Sequence, residues 1–412
     1  MIKTIQLFIA FFLLMQLDLT GQQWKPQVSG ATNNLFSLSF PVNDQVGHIC
    51  GSEGTILKTE DGGKKWTIKN SGTNFDLYEI HFFDTNKGFA VGTGNTLLLT
   101  TDGGEIWSKI NIFGTDDSYY YRNMWFLNEN IGFIIGGRSG NNGVILKTVN
   151  GGISWEELTI NSFSAVYGIY FTSANKGYFS NFEGEISKTI DGGATWKKLP
   201  SGTSNSLIGL YFTDEDTGYA CGFDGTILKT SDQGETWELK PTNNDEYLTE
   251  IVFLDEYVGF AIGGDANSST ILKTTDKGET WSEEVTSTSR LFGAEFLSFT
   301  TGYACGFNGS ILKIENIVAA SDKVSELANN FKIFPNPTDN FLTIDLGTSI
   351  IKTGTKLKIL NTLGMVVHSE EIIKQLTNIN LSTFGGSGIY YVMISDPSNI
   401  NGTEIHKVIL LQ

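Results

Sequence analysis

The chain has 412 residues, enough for one large repeat domain and a smaller one. Its formal net charge is −17 and it holds only three arginines, Arg122, Arg138 and Arg290, so nucleic acid and anionic lipid are excluded as partners of its surface. That acidity reads as solubility outside the cell.

At the N-terminus, Lys3 precedes an apolar run over residues 5–17 and a small residue at Gly21, the pattern of a secretory signal peptide over 1–21. No later segment approaches the ~20 apolar residues that span a bilayer, and no transmembrane segment is expected. From residue 22 the sequence is periodic. A Gly-aromatic/His-x-x-Gly motif starts at Gly47, Gly88, Gly132, Gly177, Gly218, Gly259 and Gly302, and only the Gly177 copy lacks its closing glycine, having Asn181 there. A repeat of roughly 40 residues marks a propeller or solenoid, and seven copies predict seven blades.

Within a unit, residues 207–212, 218–222 and 226–230 read as strands separated by Asp/Glu/Gly turns, and Trp237 opens a fourth. The third turn carries Thr-x-Asp/Asn-x-Gly-x-x-Trp six times, at 59–66, 100–107, 148–155, 189–196, 230–237 and 274–281. A short side-chain oxygen there can accept backbone N–H groups, the glycine tolerates φ > 0, and the indole fills space between blades. Asp61, Asp102, Asn150, Asp191, Asp232 and Asp276, with Trp66, Trp107, Trp155, Trp196, Trp237 and Trp281, are therefore expected to be structural. A residue required in every blade serves the turn that every blade shares.

The seventh unit stops after residues 311–313 without this turn, whereas Trp24 stands 42 residues before Trp66. An N-terminal strand is therefore expected to complete the seventh blade and close the ring. Cys50, Cys221 and Cys305 occupy one repeat position and read as small buried apolar sites; a Cys50–Cys305 bridge across neighbouring blades stays open. Residues 22–314 are thus expected to form an all-β, seven-bladed propeller.

Residues 315–330 turn small and polar and read as a linker. Short alternating stretches over 331–412 suggest a small β-sandwich, whose six lysines balance six acidic residues.

The repeated turn matches the Asp-box, or BNR repeat, of sialidases, sortilin-type receptors and xyloglucanases. The propeller resembles the photosystem II stability/assembly factor family, carried most clearly by Gly-Tyr-Ala-Cys-Gly-Phe-Asp-Gly-Thr-Ile-Leu-Lys-Thr-Ser-Asp at 218–232. That resemblance implies a seven-bladed fold; members of that family act through a basic surface, whereas this chain is acidic. The tail resembles the C-terminal sorting domain of the type IX secretion system of Bacteroidetes, with Phe-Pro-Asn-Pro at 334–337, Ile-Leu-Asn-Thr-Leu-Gly at 359–364, Gly-Ile-Tyr-Tyr-Val at 388–392 and Lys-Val-Ile at 407–409. It implies contact with secretion machinery through 331–412, and release or display at the outer cell surface.

Loop lengths point to a binding face. From the motif glycine to the Asp-box threonine is 12 residues in units one, two, four and five, but 16 in unit three and 15 in unit six. The extra length falls on the face opposite the Asp-boxes. Unit three brings Tyr119, Tyr120, Tyr121 and Arg122 on one loop and Arg138, Asn141 and Asn142 on the other, and unit six adds Asp265 and Asn267. Aromatic faces with Arg and Asn donors suit a glycan or a protein ligand.

Catalysis has less support. His-Glu-x-x-His, Cys-x-x-Cys, phosphate-binding and Gly-x-Ser-x-Gly motifs are missing from the sequence, the four histidines are scattered, and no catalytic residue, metal or cofactor is assigned. A glycoside hydrolase resembling sialidases or xyloglucanases stays open, since Asp116, Asp117, Asp224 and Asp265 can supply the two carboxylates it needs. The leading expectation is a non-catalytic binding or scaffold propeller; an extracytoplasmic assembly factor is the third reading.

Overall fold

The structure is a computed structural model that describes residues 24–410 apart from 42–43, 113–115, 141, 161, 163, 288, 299–300, 316–331, 335–340, 346–354, 362–365, 373, 375, 382–387 and 396–402. The expected signal peptide, nearly all of the linker, Asn141 and parts of the tail's motifs lie outside the described residues.

Seven four-stranded antiparallel sheets run through the repeats. The first blade is Leu35–Ser39, Gly47–Gly51, Thr55–Thr59 and Thr67–Asn70 in that spatial order, and the next five follow the same plan. The seventh takes Leu291–Ser298, Thr301–Gly306 and Ile311–Glu315, with Lys25–Gln27 as its outermost strand, Pro26 opposite Leu312. None of the sheets closes on itself; the blades are joined by side chains.

The Gly-aromatic motif and the Asp-box tryptophan meet at those joints. His48, Phe133, Tyr178 and Tyr303 stack on the phenylalanine ending the next blade's first strand, respectively Phe82, Phe171, Phe212 and Phe40, with centroids 3.8, 4.0, 4.2 and 4.3 Å apart. Phe89, Tyr219 and Phe260 do the same to Phe126, Phe253 and Phe296. Each of those phenylalanines meets its own blade's indole edge-on at 5.8–6.2 Å, and in the seventh blade that indole is Trp24. Edge-to-face and offset ring pairs add to the burial energy of each joint.

This packing explains both motif glycines. A Cβ at Gly88 would stand 2.7 Å from the Phe82 ring, and the other six opening glycines lie equally close under their phenylalanines. A Cβ at a closing glycine such as Gly222 would overlap the Ser206 carbonyl, where the first strand bulges. Asn181, the exception, ties its own turn instead: its Oδ1 accepts the Glu183 and Glu185 N–H groups at 2.9 and 3.0 Å.

The Asp-box is one hydrogen-bond set repeated six times. Thr189 Oγ1 donates to Asp191 Oδ1 at 2.8 Å and accepts the Gly193 N–H at 2.9 Å, while Asp191 Oδ1 accepts the Thr195 N–H at 2.8 Å. Asp61, Asp102, Asp232 and Asp276 repeat it, and Asn150 makes the same bonds with its amide oxygen. The Thr195 hydroxyl and amide hold the Asp191 carboxyl down at about 2. Since an amide serves in the third box, Asp191→Asn is expected to leave the urea midpoint nearly unchanged. Thr189→Ala strands the buried Gly193 N–H and should lower stability by about 1–3 kcal/mol; equal midpoints for the two variants would sink this account.

In the tail, Lys332–Phe334, Phe341–Asp345 and Leu376–Asn380 form a three-stranded sheet, and Val366–Glu371, Lys356–Asn361, Gly388–Ser395 and Thr403–Leu410 a four-stranded one. Leu342, Ile344 and Ile379 of the first sheet share one core with Leu357, Ile359, Val392 and Ile394 of the second, making a β-sandwich.

Candidate functional site

The innermost strand of each blade lines a central cavity of about 480 Å³. Each carries a fully buried residue, such as Leu77, Tyr121 or Val166, and bulges directly after it, as between Leu77 and Glu79 or Tyr121 and Asn123. Counted from that buried residue as the first, the second is thereby turned to the cavity mouth and the third and fifth to the wall below it. Comparing blades position by position gives the site its layers.

The mouth is a closed circuit of rings and guanidinium groups. Phe36 meets Phe292 on one side and Tyr78 on the other, both at 5.1 Å. Arg122 lies over Tyr78 at 4.2 Å and over Tyr167 at 5.4 Å. From Tyr167 the circuit runs through Phe182 at 5.9 Å, Phe223 at a further 5.6 Å and Tyr247 at 4.4 Å. Arg290, over Tyr247 at 5.1 Å and Phe292 at 5.2 Å, returns it to the start. Every member is partly exposed, so the collar presents aromatic faces and cationic groups together to solvent.

Below the collar the wall is acidic. Glu79 Oε1 accepts the Ser37 hydroxyl at 2.8 Å, Glu250 Oε2 the Ala294 N–H at 2.6 Å and Glu295 Oε2 the Phe40 N–H at 2.8 Å. Each bond joins one blade's inner strand to its neighbour's, where no backbone ladder exists. Burial pushes all three carboxyls up, Glu250 to about 7 and Glu295 to about 8, and mutual repulsion adds to the rise at Glu79 and Glu295. Burial alone pushes His81, stacked on Phe126 at 5.2 Å, down to about 4. Among the described residues no group of His, Cys, Asp and Glu side chains is arranged to hold a metal.

The structure divides the residues singled out from sequence. Tyr119, Tyr120, Tyr121 and Arg122 lie on a strand, Tyr119–Phe126, not on a loop, because unit three's longer hairpin pairs Tyr119 with Arg138. Alternation then buries Tyr119 and Tyr121 in the core between blades, where the Tyr121 hydroxyl donates to Asn95 Oδ1 at 2.8 Å. Tyr120 and Arg122 face the mouth, with the guanidinium 5.4 Å from the Tyr120 ring. Arg138 stands apart, 3.7 Å from Glu157 and bonded to the Tyr119 hydroxyl, and Asn142 lies opposite it in the hairpin. Asp265 caps its own turn by accepting the Asn267 and Ser268 N–H groups, and its charge is felt by Arg290. Asp116 likewise accepts the Ser118 N–H. Cys50, Cys221 and Cys305 are buried free thiols.

Sequence reading missed most of the collar. Its signal was nevertheless present: Phe36, Tyr78, Arg122, Tyr167 and Phe292 directly follow the buried residue at which their inner strands bulge, and Phe182 and Phe223 directly follow the motif's closing residue.

Comparisons with known proteins agree with this architecture. Residues 70–164 match the family model described as Photosynthesis system II assembly factor YCF48, and residues 332–410 match the Secretion system C-terminal sorting domain. No curated protein matches the chain. Among solved structures, YCF48 bound to D1 peptide is 21% identical, with 70% of this chain and 94% of that one covered at a TM-score of 0.58. YCF48 from Cyanidioschyzon merolae is 19% identical, with 72% and 99% covered at 0.59. The WD40 β-propeller domain of Doa1 is 13% identical, with 74% and 99% covered at 0.57, so the likeness at this level is one of fold. No helix among the described residues is long and apolar enough to cross a membrane. The chain is a seven-bladed β-propeller resembling the YCF48 assembly factors, followed by a tail that matches a secretion-system sorting domain.

Proposed function

We propose that this protein is an exported, non-catalytic propeller that binds an extended segment of a partner protein at the collar, delivered to the outer surface or medium by its tail. The collar carries this reading: partly exposed aromatic rings and two arginines encircle a cavity of about 480 Å³. Tyr, Phe and Arg supply binding energy at protein interfaces: the rings bury much area with few rotatable bonds, and the guanidinium groups here are already held against ring faces. A solved neighbour of the same fold is YCF48 with a peptide bound, which supports a peptide over a sugar here. The glycan reading rested on the unit-three tyrosines, and two of those three are core.

The test selects a phage-displayed dodecapeptide library on the full chain, with a Tyr78→Ala/Phe292→Ala variant and a polysaccharide panel in parallel. Peptides enriched on the native protein and lost on the variant are the expected result. Equal enrichment on both proteins, or polysaccharide binding without peptide enrichment, would overturn the reading, and released sugar would make the protein a glycosidase.

A further inference from the structure

Arginine is scarce in this chain, yet two of its three stand in the collar. The third, Arg138, is already committed to Glu157 at 3.7 Å. Arg122 and Arg290 form no ion pair with a carboxylate among the described residues, and the buried Nε–H of each has no acceptor. Both guanidinium groups lie against ring faces, which holds their planes while leaving edge N–H donors available for a planar, two-oxygen acceptor. The acids beneath them, Glu79, Glu250 and Glu295, are bonded within the wall, and burial favours their neutral form.

We propose that the collar recognises a single carboxylate on a peptide, held by Arg122, with a neighbouring apolar or aromatic side chain against the rings. Arg290, on the far side of the mouth, already lies in the field of Asp265. The inference rests on the peptide-binding reading and names the group that is read. A lone carboxylate fits better than an acidic run, because a chain of net charge −17 repels polyanions everywhere except at such a cationic spot. The same chemistry is offered by a side-chain Asp or Glu and by a peptide's C-terminus.

Three bead-bound pools of random heptapeptides separate these sources: amidated without acids, amidated with one Asp or Glu, and acid-free with a free C-terminus. Fluorescently labelled full chain should be captured by at least one carboxylate-bearing pool about tenfold better than by the neutral amide pool. Arg122→Gln should bring capture to the neutral level, Arg122→Lys should restore it only in part, and Arg138→Gln should change nothing. Thermal melts of each variant identify any loss that comes from misfolding, and Arg122→Lys, which keeps the charge, then carries the test. Equal capture of all pools with no effect of the arginine variants would overturn the carboxylate assignment and leave the collar as a peptide site. Capture of no pool would overturn both.

Discussion

Replacing Trp24 by alanine is expected to cost the propeller about 3–5 kcal/mol, the range for emptying a large aromatic site in a core. Trp24 is buried against Phe296, Phe260, Leu312 and Ile314, where the sixth and seventh blades meet. It follows the plan of the six Asp-box indoles although it lies at the opposite end of the chain. Its loss also loosens Lys25–Gln27, the three-residue strand that covers the outer edge of Ile311–Glu315. Urea unfolding of the full chain followed by near-ultraviolet circular dichroism measures the effect, with Trp24→Phe as the milder variant. A midpoint unchanged in Trp24→Ala would mean that the seventh blade does not depend on its N-terminal strand.

Raising the pH from 6.5 to 8 is expected to destabilise the fold through the cavity wall. Glu295 ordinarily titrates near 4.5 and is pushed up to about 8 in the folded protein, so across this interval the unfolded chain has lost a proton that the folded chain keeps. The stabilisation is therefore complete below the unfolded value and disappears as pH rises through the folded one. For one such carboxyl the loss is about 2 kcal/mol over this interval, and Glu250, at about 7, adds a smaller share. The groups around Glu295 are Glu79 and Glu250 on the wall and Tyr391 of the tail, with the free thiol of Cys305 beside the other two acids.

His48 and His81 act in the opposite direction. Burial lowers both to about 4, so they contribute stability above 6.5 that is lost as pH falls through 4. Glu295→Gln keeps an acceptor for the Phe40 N–H and cannot ionise. Its melting temperature should fall less than the native protein's between pH 6.5 and 8; parallel pH curves would sink the account.

The number of blades, their strand order and the Asp-box turns were legible in the sequence because each is a local pattern repeated at a fixed interval. A turn needs only residues adjacent in the chain, so Thr189, Asp191, Gly193 and Thr195 declare themselves in eight positions. The tail declared itself through ordered short motifs. The collar did not, because it uses only one or two residues from each blade, and only the packing of the first blade against the seventh brings Phe36 beside Phe292, which lies far along the chain. Its members share repeat positions but differ in type, so the positions stand out only once the bulge is seen to turn them to the mouth. The unit-three tyrosines were misjudged for the same reason: composition made a loop of a segment that an extended hairpin holds as a strand, and strand alternation buried Tyr119 and Tyr121 while turning Arg122 to the mouth. Sequence determined the repeated scaffold, which rests on contacts between near neighbours and identical joints. The site lies where nine residues from seven blades meet around one cavity, and only the tertiary structure decided which they are.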